Sequence, residues 1–97
     1  MATQRQSALD HAWEQIRAWN PENVVNLPPA RRAIEAGAAA PDVVLACTGA
    51  AYEAVFAVLF HLFDEAVDDI SVDELRGLHE DLLTADPTGS EGADFFA

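Results

Sequence analysis

Lysine is absent from the 97-residue chain, and only five arginines stand against seventeen acids, a formal net charge of −12. Such a balance excludes broad contact with a nucleic-acid backbone or an anionic membrane surface, because both need cations on the protein side. A single cysteine, Cys47, rules out an internal disulfide framework. The first residues are polar and lead into no apolar run of the kind a secretory signal needs. No Gly-x-x-x-x-Gly-Lys loop, no His-Glu-x-x-His and no paired Glu-x-x-His motif is present, so the phosphate-loop, zinc-protease and di-iron signatures are all missing. A soluble cytoplasmic protein without cofactor is the expectation.

What remains is apolar. Hydrophobic residues make up 51% of the chain, nineteen of them alanine, too many for a chain disordered throughout. A chain of 10.4 kDa shrinks from roughly 15,000 to 5,400 Å² of accessible surface on folding, enough for one modest core. One domain over residues 1–86 with an irregular tail over 87–97 is therefore expected.

The periodicity is helical throughout. Leu9, Ala12, Trp13 and Ile16 recur at steps of three and four, predicting a first helix from a Ser7 cap to about Trp19. Asn20-Pro21 ends it, and Pro28-Pro29 opens a short helix that Gly37 stops, with Ala33 and Ile34 inward. Pro41-Asp42 then starts a long helix over residues 42–66. Within 43–63, 17 of 21 residues are apolar. That length could span a bilayer, but Glu53 would sit at mid-depth, where a carboxylate is costly, so a core helix is the better reading. Ser71-Val72-Asp73-Glu74 forms a capping box, with Ile70 and Leu75 as its staple, predicting a last helix that Asp86-Pro87 ends. The class is all-α: a small bundle of three to four helices around one long apolar central helix.

Shorter helices cannot hide a helix of about 38 Å that is apolar nearly all round. Ala46, Ala50, Ala54 and Ala57 form a small-residue stripe along it, and a homodimer paired through that stripe is expected. Charge is also uneven. Residues 1–36 carry four arginines and four acids, whereas 64–97 carry eleven acids and Arg76 alone. An electronegative half of this kind steers a basic protein partner. The residues expected to meet it are Asp68, Asp69, Asp73, Glu80 and Asp81, with Phe95 and Phe96 as apolar anchors.

Chemistry-bearing constellations are weaker. His61 with Asp64 and Glu65 has the spacing of a metal pair, but acids are so frequent that a nearby histidine is expected by chance. Glu53 is the only formal charge between Asp42 and Asp64, and with Tyr52 and Phe56 it could line a ligand pocket. Cys47 has no base placed for it. The sequence thus points to a non-catalytic interaction module of adaptor, immunity or inhibitor type. The alternative is a helical ligand- or metal-binding bundle.

Overall fold

The computed structural model describes residues 3–62 and 75–96. Among them are four α-helices and no strand, one of the four long and apolar. The first, α1, runs Gln4–Ile16 and is capped by Thr3, whose hydroxyl accepts from the Gln6 amide at 3.0 Å. The helix thus starts a turn earlier than the expected Ser7 cap, because Thr3 offers the same oxygen three residues ahead of a free amide. Leu9, Ala12, Trp13 and Ile16 are buried, the spacing the sequence prescribes.

After α1 the Asn20 side chain accepts from the amides of Glu22 and Asn23, turning the chain into a 3-10 turn at Val24–Asn26. Val24 there is fully buried. The next helix, α2, spans Pro28–Glu35 and has no buried residue: Ala33 is exposed and Ile34 only half-buried. Both were expected inward. Eight residues resting on the 3-10 turn and one stretch of α3 have too little neighbouring surface to cover them.

Helix α3 spans Ala40–Phe60 without a break at Thr48-Gly49. The Thr48 hydroxyl donates to the Val44 carbonyl at 2.9 Å, so a buried polar group is satisfied inside its own helix. Only Thr48 and Tyr52 of this helix are buried. Tyr52 stacks on Trp13 with ring centroids 6.2 Å apart, and the Trp13 indole donates to the Leu82 carbonyl at 2.8 Å. These contacts tie the middle of α3, α1 and the C-terminal segment into one core.

The capping box at 71–74 lies outside the described residues. Downstream of it the expected helix is absent: residues 75–85 form successive turns, closed mostly by bonds between residues three apart. Gly77 has φ of +70°, a left-handed conformation that no α-helix interior contains. Leu75, Leu78 and Leu82 nevertheless face the core, because spacings of three and four also suit a chain of tight turns. The tail is more ordered than expected. Residues 86–96 fold back on α1 and end in a one-turn helix, α4, at Ala93–Phe96.

Candidate functional site

The buried side of α3 is fixed by Tyr52, with Val55, Phe56 and Leu59 packed around it. At 100° per residue, the opposite side falls on Ala46, Ala50, Ala54 and Ala57, which share an arc of about 80°. All four are exposed. Larger apolar groups toward the C-terminal end are exposed beside this arc, Val58 (55%) about 40° beyond one edge and Phe60 (41%) about 40° beyond the other, with Leu62 (44%) further round. A shallow groove of about 210 Å³ runs between Ala54, Val55, Val58 and Leu59 without a polar atom in its lining. A face this long and apolar is uncommon on an isolated soluble chain. It persists because α1 has one apolar stripe to offer and the C-terminal turns cover only the side toward Tyr52 and Phe56.

Glu53 stands at the edge of that face and is exposed, whereas Tyr52 beside it in sequence is buried. The two residues are neighbours in sequence but lie on different sides of the helix. Burial first, then the Glu53 charge, raises the Tyr52 phenol above its ordinary value, which keeps it neutral. Phe56 and Phe60 each pack edge-on to the buried His79 ring, with centroids 5.0 Å apart. Cys47 is half-buried on α3. His61 is exposed, and its sequence neighbours Asp64 and Glu65 lie outside the described residues. Among the described residues no three metal-ligating side chains converge.

The acidic half has an internal use that its sequence does not show. Asp81 is ion-paired with Arg5 of α1. Asp86, whose side chain is fully buried, accepts from Arg17 Nη2 at 2.7 Å and Arg17 Nε at 3.1 Å. It also accepts from the amides of Thr88 and Gly92 and from the Ser90 hydroxyl. Burial opposes the charge on Asp86, but the Arg17 pair and these hydrogen bonds outweigh it and hold its carboxyl far below the usual range. Arg17 also reaches Asp94 at 3.1 Å, lowering that carboxyl, and its own guanidinium is raised mainly by the bond to Asp86. Three of the five acids between 75 and 96 therefore hold the tail on α1. Glu80 and Glu91 remain exposed, while Asp68, Asp69 and Asp73 lie outside the described residues.

Phe95 docks back rather than projecting, 5.8 Å from Tyr52 and 6.3 Å from Trp13. Phe96 is half exposed and meets Tyr52 edge-on at 5.2 Å. The pairing of Arg17 with Asp86 spans 69 residues, so no local pattern announces it. The only local trace is the Asp86-Pro87-Thr88 turn, in which Asp86 accepts from the amide two residues on.

No family model, curated protein or solved structure matches this chain.

Among the described residues one helix, α3, is long and apolar enough to cross a membrane. Its midpoint, however, packs through Tyr52 against Trp13 and Phe95, and the Arg17 guanidinium lies 5.2 Å from the Trp13 ring. A bilayer around α3 would place the Arg17–Asp86 pair in hydrocarbon or strip α1 from the helix, and either is costly.

Proposed function

We propose that this protein is a non-catalytic protein–protein interaction module, self-associating as a homodimer through the outer face of α3. The observation that carries the reading is the exposure of that face, opposite the only buried residues of the helix. A two-fold contact is the commonest way for a chain to cover such a surface. The acids not used on Arg5 and Arg17 leave a strong negative excess, which favours a basic protein as the dimer's further partner in the cytoplasm.

Sedimentation velocity over a wide dilution range tests the assembly. The native chain is expected to move from dimer to monomer on dilution. The Ala50→Glu, Ala54→Glu variant is expected to stay monomeric with an unchanged circular dichroism spectrum, since both positions are exposed. A native chain that sediments as a 10.4 kDa monomer at every concentration would sink the reading. For the basic partner, replacing Asp68, Asp69, Asp73 and Glu80 by their amides should slow association and flatten its salt dependence.

A further inference from the structure

Resting on the basic partner proposed above, we infer that the groove between α1 and residues 81–87 receives an extended, arginine-bearing segment of that partner. The guanidinium of that arginine seats between Asp10 and Glu14.

Spacing builds one wall. Asp10, Trp13, Glu14 and the capping Arg17 stand three or four residues from their neighbours in the row, so they share a side of α1. Ala85 and Pro87 line the other wall, and the hollow between measures about 380 Å³. Trp13, only 2% exposed, backs it. Ala85 also lines a second hollow of about 310 Å³, beside Thr3, Gln6 and Leu9. Meeting at Ala85, the two follow α1 from Thr3 to Arg17, about 21 Å, the length of about six extended residues.

Charge selects a cation. Arginines and acids balance over residues 1–36 in sequence, but folding does not keep that balance around α1. Arg5 closes on Asp81, and Arg17 on both Asp86 and Asp94. Arg31 and Arg32 belong to α2 and line neither hollow. Asp10 and Glu14 therefore border the groove without an arginine among the described residues. Asp10 accepts from the Gln6 side chain at 2.8 Å, and Glu14 meets the exposed His11 at 3.6 Å. Arg17 does not turn a second cation away, because two carboxylates outweigh its charge.

The mixed lining suits arginine better than a small ion. An arginine lays its methylene stem on Ala85 and Pro87 and brings a planar fork to two carboxylates whose Cβ atoms are about 6 Å apart. A bare cation would leave the apolar wall wet, and a neutral peptide would leave both carboxylates unmatched. The acids of the last third thus act twice. They hold the tail on α1, and by neutralising Arg5 and Arg17 they leave the groove electronegative.

The probe is a capped hexa-arginine peptide, titrated at low salt into the isotope-labelled full chain and followed by nuclear magnetic resonance. The Trp13 indole N–H, bonded to the Leu82 carbonyl behind the groove, reports occupancy, and Trp19→Phe assigns it. The Asp10→Asn, Glu14→Gln variant is expected to bind about fivefold more weakly. The Glu22→Gln, Glu35→Gln variant has the same net charge, and its exposed positions line neither hollow. Its affinity is expected to change by less than about twofold. Ala85→Leu fills the groove, leaves every charge in place, and is expected to weaken binding about as much as the first variant. Circular dichroism checks the fold of each. Equal losses in the two charge variants, or binding that leaves the Trp13 resonance unmoved, overturn the groove and leave a basic partner standing. A native chain that binds no peptide at low salt overturns both.

Discussion

Replacing Asp86 by asparagine is the sharpest test of what holds the C-terminal segment in place. The substitution preserves shape, removes the charge beside Arg17, and turns an amide donor toward the Arg17 guanidinium or the Gly92 amide. Breaking a buried ion pair from one side costs about 3–5 kcal/mol when the remaining charge is stranded. Arg17 is not stranded: its side chain is 20% exposed and it keeps Asp94. The expected loss is therefore about 2–3 kcal/mol, or about 10–15 °C in melting temperature for a chain of this length. A double-mutant cycle with Arg17→Met measures how much belongs to the pair. The pH dependence has a definite sign. Because the Asp86 carboxyl is held below its unfolded value of 3.8, its contribution is complete above that value. It is lost as pH falls through the folded value, so the gap between native and variant proteins narrows on acidification. Thermal melts of both proteins from neutral to acid pH, followed by circular dichroism, provide the readout. A melting point within about 3 °C of native at neutral pH would refute the assignment of Asp86 as the residue that fastens the tail.

Two further substitutions probe the same region. Gly92 has φ of +77°, and an added Cβ would lie 2.8 Å from Leu83 Cδ2, whereas Gly89 has φ of +76° with nothing within 4 Å. Gly89→Ala should cost about 1 kcal/mol of backbone strain and Gly92→Ala at least about twice that, and equal losses in a denaturant titration would contradict the packing described. Trp13→Phe removes the donor to the buried Leu82 carbonyl and part of the stack on Tyr52, with an expected cost of about 2–3 kcal/mol in the same titration.

Sequence alone carried the class and most of the core. Leu9, Ala12, Trp13 and Ile16 are buried because a three-and-four spacing leaves a helix no other way to hide them. Leu75, Leu78 and Leu82 also turn inward, although the helix expected around them is a run of turns. Apolar burial depends on spacing, whereas helix continuity depends on each residue's φ, and Gly77 departs from the helical value. The alanine arc was legible for the same reason, since helical periodicity fixes which residues share a face.

Other features were decided only by the tertiary structure. Whether the alanine arc would be covered depended on how much of α3 the rest of the chain could reach, and Tyr52 rather than an alanine meets Trp13. Glu53 lies on the exposed side of α3, next to a residue that is buried. The acids of the last third read as a surface field in sequence, yet Asp81, Asp86 and Asp94 close on Arg5 and Arg17 across 69 to 77 positions. Periodicity acts over a turn or two of chain, whereas ion pairs form wherever folding brings opposite charges within reach. The first can be read along a sequence, and the second exists only after the chain has closed on itself.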